Sequence, residues 1–140
     1  MAAGDFRIGL NGSFLYGTAG SSAASVATNV TDVQLELSAI EIDTKSRAST
    51  TWATSKVALL QATLTFSMLD KEGDSAVAAV KAAFFAKGKI AFWPKDLVGG
   101  DGLNADYYVT GLSRNESLVV VITYSVTAKP TDEQRAPVWA

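Results

Sequence analysis

Clean alternation of apolar and polar residues runs through most of this chain, and only one stretch carries helical spacing. Val33, Leu35 and Leu37 face one way, and Gln34, Glu36 and Ser38 the other. Ile40 and Ile42 then oppose Glu41, Asp43 and Lys45. Further on, Ala62, Leu64, Phe66 and Met68 alternate with Gln61, Thr63, Thr65 and Ser67. A period of two marks half-buried strands. The first tract reads as two strands, or as one long strand bent near Ser38-Ala39. Helical spacing appears in Val77, Val80, Lys81 and Phe84, with alanine between them. Asp74 or Ser75 can cap its start and Gly88 can end it, giving a helix over about 75–87. A single helix cannot cover a series of parallel crossovers, so the strands are expected to pair antiparallel. The expectation is a mainly β fold: an antiparallel β-sandwich or partial barrel with one flanking α-helix, one domain over 1–140.

Strand material also occurs at 6–17, and the small polar run GTAGSSAASVA (17–27) reads as a loop. A second loop, 46–56, surrounds Trp52. Lys89 to Trp93 reads as a short strand stopped by Pro94. From Leu103 the pattern is strand, turn, strand, then the closing segment 130–140 with Pro130, Pro137 and Trp139. In the second of these strands Leu118, Val120, Ile122, Tyr124 and Val126 line one face, while the other begins with Val119 and Val121. A strand apolar on both faces needs two covers, here the helix or another subunit.

Composition limits the chemistry. The 140 residues contain no cysteine and no histidine. That removes thiolate and imidazole ligands, disulfides and the commonest general base. The chain reads as a non-enzyme with no cofactor. A net charge of -2 with no basic block argues against a specific DNA-binding module. At 48% hydrophobic residues the chain is rather apolar for a free monomer, which points to assembly. No run is long and apolar enough for a membrane span, so no membrane insertion is expected. The start, MAAGDFRIGLNGS, has neither a basic region nor an apolar run, so no signal peptide is expected.

Local motifs are weak. GGDGLNAD (99–106) is one copy of a calcium-repeat-like turn, which needs stacked copies to bind metal. GTAGSS (17–22) lacks the lysine of a phosphate loop. Three glycosylation sequons, at Asn11, Asn29 and Asn115, read as polar turns. Glu36, Glu41 and Asp43 form either an ordinary solvated face or an acid-lined surface. Trp52 either folds back on its own core or anchors a neighbour. Trp139 has few ways to be buried in its own domain and reads as an intermolecular contact. Tyr107, Tyr108 and Trp93 could form the aromatic platform of a monomeric β-sandwich binding module for carbohydrate or peptide.

Taken in order, NGSFLYGTAG (11–20), VTDVQLELSAIEIDTKSRASTTW (30–52), TLTFSMLDKEGDSAVAAVKAAFFAKGKIAFW (63–93), GDGLNADYYVTGLSRNESLVVVITYSVTAKP (100–130) and RAPVW (135–139) resemble the major tail tube proteins of long-tailed bacteriophages. The resemblance covers nearly the whole chain and rests on the ordered set. The 46–56 loop departs from some relatives in using Ala, Ser and Thr in place of glycines. The resemblance implies hexameric rings stacked into a tube, with strands from each subunit sharing a β-barrel around a lumen that conducts double-stranded DNA. It implies as partners further copies of the chain and tape-measure, tail terminator and distal tail proteins. The setting implied is the virion tail, assembled in the host cytoplasm. Gln34, Glu36, Glu41, Asp43, Gln61, Thr63 and Thr65 are candidates for the lumen wall. Arg47, Thr51, Trp52, Val119, Val121, Arg135, Pro137 and Trp139 are candidates for contacts between subunits.

Overall fold

The computed structural model describes residues 12–43, 55–96, 100–119 and 121–140. Among these described residues, eight strands and one helix follow in order: β1 (Ser13–Thr18), β2 (Ser25–Val26), β3 (Val30–Asp43), β4 (Ser55–Leu69), α1 (Ser75–Ala86), β5 (Lys89–Lys95), β6 (Leu103–Asn115), β7 (Thr123–Thr131) and β8 (Val138–Trp139). All described pairings are antiparallel, in the order β2-β1-β5-β6-β7-β4-β3, with β8 added to β6. The mainly β, antiparallel expectation with one flanking helix holds.

The sheet is strongly curled. Phe14 on β1 and Phe66 on β4 are four strand spacings apart along the sheet, about 19 Å if it were flat. Their rings lie 4.6 Å apart. Phe92 touches both, at 5.4 and 5.3 Å, and Tyr107 lies 5.6 Å from Phe92. One face thus wraps around a core of Phe14, Leu64, Phe66, Met68, Ile90, Phe92, Tyr107, Tyr124 and Val126. The curl stops short of closure, because β2 and β3 do not pair with each other. The architecture is a partial barrel made from one sheet.

Helix α1 contributes to that core through Ala76, Val77 and Val80 and packs against β5 and β6. Its alanines carry little entropic penalty in a helix. Asp74 caps the start, with Oδ1 accepting from the Ala76 N–H at 2.8 Å. The end differs from the sequence expectation. Lys87, not Gly88, adopts the left-handed conformation, with φ of 56°. Lys87 and Gly88 donate their N–H groups to Phe84 and Ala83 carbonyls at 3.2 and 3.0 Å, a Schellman closure.

Other boundaries move as well. The stretch 17–27 contains β2, and residues 6–11 of the first expected strand lie outside the described residues. β3 is one strand with no break at Ser38-Ala39. Its pairing with β4 shifts instead between Ile40 and Glu41, where the extra residue is Ala58 on β4. β4 already begins at Ser55, inside the expected 46–56 loop. Pro94 lies within β5, which continues to Lys95 and pairs with β1. The last long strand begins at Thr123, not at Leu118. β6 supplies pairing partners only as far as Asn115↔Thr123, and Leu118 and Val119 form a turn. Leu118 is fully exposed, so the two-faced apolar strand does not form there.

The second face of β1, β5 and β6 is covered by the chain itself. A small cluster of Leu15, Ala23, Ala91 and Trp93 lies there. After β7 the chain leaves the sheet at Asp132. It returns as β8, pairing Val138 with Asn104 and Trp139 with Leu103 where β7 has run out of partners. Gly102 and Ala140 exchange two backbone hydrogen bonds, at 2.7 and 3.0 Å.

Candidate functional surfaces

Residues directly opposite each other on neighbouring antiparallel strands share a face. The register therefore assembles one continuous polar surface. Gln34, Glu36 and Ser38 on β3 pair with Thr65, Thr63 and Gln61 on β4. Thr65 and Ser67 pair with Thr127 and Ser125 on β7. Ser125 and Thr123 pair with Ser113 and Asn115 on β6. These side chains are exposed or half-buried. On the reverse of the same strands lie Leu64, Phe66, Val126 and Ala128, all buried. Alternation of Thr, Ser and Gln with Leu, Phe and Val creates both surfaces at once.

Five of the seven lumen candidates, Gln34, Glu36, Gln61, Thr63 and Thr65, come together on this polar face. Glu41 does not join them. It pairs with Val57 and, by the unbroken alternation of β3, lies on the face opposite Glu36. Asp43 takes the register position opposite Ser55. Sequence reasoning did not extend the surface to Ser67, Ser113, Ser125 and Thr127, although the alternation of β7 carried the signal. Gln34 Nε2 donates to Glu36 Oε1 at 3.4 Å.

Beyond this face β3 and β4 project as a two-stranded arm. β7 accompanies β4 only from Leu64 to Leu69. The preceding half of β4 therefore has β3 alone as its strand partner among the described residues. Leu37, Ile42, Val57, Leu59 and Leu60 on this arm are 54–84% exposed. Isolated two-stranded hairpins are marginal in water, and this one presents apolar side chains on both faces.

The contact candidates fall into separate places. Arg47, Thr51 and Trp52 lie outside the described residues. Val119 and Val121 are exposed, in and just after the turn that follows β6. Pro137 is exposed. Trp139 belongs to β8 on its own domain yet stays 54% exposed. Arg135 is engaged within the chain: its Nε donates to Oδ1 of the fully buried Asp106 at 2.8 Å. Asp106 Oδ2 also accepts from the Gly20 N–H at 2.9 Å. Nearby, Tyr108 donates its hydroxyl to Glu133 at 2.9 Å, and Lys89 pairs with the same carboxylate at 3.4 Å. The hydrogen bond to Glu133, with smaller contributions from desolvation and charge, raises the Tyr108 phenol above its ordinary value.

The weak motifs are absorbed by this architecture. Gly20 of the GTAGSS run serves Asp106, and Ser22 accepts from Asn104 Nδ2 at 2.8 Å. Asn104 and Asp106 of the GGDGLNAD run sit within strand β6. Asn29 is buried, its Nδ2 donating to the Leu69 carbonyl at 2.6 Å. The aromatic platform does not form. Tyr107 is wholly buried in the core, and Tyr108, the next residue on the strand, faces the other way. A cavity of about 1140 Å³ opens at the seam between β1 and β3, lined by Phe14, Val26, Val33, Leu35 and Trp139 rather than by the platform residues.

No family model and no curated protein matches the chain. Solved structures do. A chain from the tail of an empty gene transfer agent particle, of C6 symmetry, superposes with a TM-score of 0.73 at 15% identity, covering 91% of this chain and 95% of that one. A chain from the virion of a native gene transfer agent particle gives 0.75 at 13% identity, over 96% and 99%. The SPP1 tail tube, solved by solid-state NMR and cryo-EM, gives 0.73 at 10% identity, over 96% and 78%. At such identities the likeness speaks for the fold, and it extends across nearly the whole chain: this is the fold of a phage tail tube protein.

Proposed function

We propose that the chain is a structural, non-enzymatic subunit of a phage tail tube. It polymerises as stacked hexameric rings around a lumen that conducts double-stranded DNA. The observation that carries this reading is the unclosed sheet, with a polar face on one side and an apolar arm extending past its core. The outer edge of β3, 14 residues long, has no strand partner among the described residues. An edge of that length invites pairing with another chain unless something covers it. Neighbouring copies arranged in a ring would remove the edge, and a many-stranded barrel so formed leaves an aqueous channel. The C6 symmetry of the gene transfer agent tail supports six copies per ring.

The arm supplies affinity. Burying one side chain such as Leu60 is worth about 1.5–3 kcal/mol. Five of them give on the order of 10 kcal/mol, against an association cost of roughly 4–15 kcal/mol. One arm is therefore near break-even, and a closed ring, in which each copy makes contacts on two sides, is favoured over a pair. Contacts between rings fall to the 46–56 segment with Arg47, Thr51 and Trp52, to Val119 and Val121, and to Pro137 and Trp139. Head-to-tail stacking has no built-in stop, so tape-measure and terminator proteins would set the length, with a distal tail protein at the tip. The virion tail is the place of action, after assembly in the host cytoplasm.

Negative-stain microscopy of the purified chain at high concentration tests the reading. Rings or tubes are expected. A protein that stays monomeric over the whole concentration range refutes it.

A further inference from the structure

The seam cavity and the apolar arm lie at opposite ends of the same strand. The first part of β3, including Val30, Val33 and Leu35, lines the cavity, together with the buried Phe14. Val26, Val33 and Trp139 on its walls are 45–59% exposed. On the arm, Leu60 sits opposite Ala39, six residues after Val33, which is about 20 Å along the strand. Leu37 pairs with Ala62, Ala39 with Leu60 and Glu41 with Val57, so Leu37, Leu60 and Val57 share one face of the arm. By the alternation of β3 it is also the face of Val33 and Leu35. Leu59, opposite Ile40, and Ile42 lie on the other face.

We propose that the seam cavity is the socket for the arm of a second copy in the next ring, with Leu37, Leu60 and Val57 as the inserted face. The inference rests on the tail tube reading. Within one chain the two surfaces cannot meet, because one continuous strand holds them apart. An apolar projection and an apolar cavity on different parts of a molecule make a heterologous contact, which propagates from copy to copy. Strands in a closed barrel tilt by about 35–45° from its axis. An offset of 20 Å along β3 is then about 15 Å along the tube, so the cavities of the same ring stand at the wrong level for its arms. Charge agrees with the match. The charged residues lining the cavity are Asp32, Asp96, Asp101 and Lys95, three acids against one base. The sequence 44–54, which links the two strands of the arm, carries Lys45 and Arg47 and no acid. Opposite charges of this kind steer an approach and fix its register, while the buried apolar side chains supply affinity. Because the arm is apolar on both faces, docking one leaves Ile42 and Leu59 for a neighbour in the same ring.

The test uses variants of the full chain and electron microscopy that counts single rings, stacked pairs and tubes. Leu60→Lys spoils the arm and keeps the cavity. Val33→Lys spoils the cavity and keeps the arm. Trp139→Lys, at an exposed site on the cavity wall, takes its place should Val33→Lys not fold. Each variant alone is expected to give single rings and no tubes. When the two kinds of ring are mixed, intact arms meet intact cavities once only. The mixture should therefore give pairs of rings that grow no further.

Tubes from either variant alone would overturn the proposal. So would a mixture that stays as single rings, because arm and cavity would then not be partners and the cavity would be filled from its own ring or its own chain. Monomers in place of rings from Leu60→Lys would place that face of the arm inside the ring, which overturns it equally. Absence of both rings and tubes from the wild-type chain would instead sink the underlying tail tube reading.

Discussion

Arg135 reaches across 29 residues of sequence to place its Nε 2.8 Å from Oδ1 of Asp106, a carboxylate with no solvent exposure. The pair fastens the segment after β7 to the second face of the sheet, and the Gly20 amide completes the carboxylate's shell. Removing one partner of a buried pair strands the other charge, which typically costs about 3–5 kcal/mol. Arg135→Ala is therefore expected to lower unfolding stability by about 3 kcal/mol in urea titration. It should also speed proteolysis between Asp132 and Pro137. Arg135→Lys should recover only part of the loss, because lysine lacks the guanidinium fork.

Lys87 occupies a left-handed position at the end of α1, and Gly88 does not. The cost of that conformation falls on a residue with a Cβ. Lys87→Gly should raise stability by about 0.5–1 kcal/mol. A Cβ at Gly88 would meet nothing within 4 Å, so Gly88→Ala should change stability by less than about 0.5 kcal/mol. Thermal melts of the two variants separate the positions.

Gly102 is required for a different reason. A Cβ there would lie 1.5 Å from the Pro94 carbonyl oxygen and 2.7 Å from its carbon. Because the obstacle is backbone, Gly102→Ala should cost about 3 kcal/mol or more. Hydrogen exchange should show lost protection at the Ala140 amide, which donates to Gly102.

Three tyrosines should separate on alkaline titration followed by absorbance. Hydrogen bonds from Lys81 and then Arg114 lower the Tyr124 phenol from its ordinary 10.0. Burial pushes Tyr107 well above that value, with Arg135 opposing only in part. Tyr124 should ionise first, Tyr108 later, and Tyr107 last or only on unfolding. For Tyr107 the folded value exceeds the unfolded one, so its contribution is intact below pH 10.0 and is lost as pH rises further. Tyr107→Phe should flatten that alkaline loss in stability-versus-pH curves.

Leu60 is 84% exposed on the arm. Leu60→Lys should leave the unfolding stability of the separate chain within about 0.5 kcal/mol. Tube formation, followed by light scattering, should be lost. Normal polymerisation of this variant would remove the arm from the assembly contacts.

Where a residue's period reports burial within the chain, the sequence is a reliable guide. Leu64, Phe66 and Met68 alternate and are buried, with Thr63, Thr65 and Ser67 on the other side. The Asp74 cap is readable because its chemistry is local. Glu41 escapes the pattern for a physical reason. Ile40 and Ile42 share the phase of Glu36 on β3, so apolar residues change phase near Ser38 while the strand itself runs on. The arm buries neither face in its own chain, and alternation there carries no information about inside and outside. The Asp106–Arg135 pair is invisible in the sequence, since neither residue has a local pattern linking it to the other. Leu118 and Val119 have the β propensity of strand residues, but the end of pairing with β6 overrides it.

The contact between Phe14 and Phe66 has a consequence for how the chain reaches its fold. β1 and β4 come early in the sequence, but in the sheet they stand on either side of β5, β6 and β7. During synthesis the early strands therefore emerge before the strands that belong between them. Their rings can meet only after the late strands have been inserted. Folding dominated by such distant pairings is slow, on the order of milliseconds to seconds. Until β7 has left the ribosome the chain is an unfinished sheet with Phe14, Phe66 and Phe92 uncovered. Chaperones would have most to do at that stage.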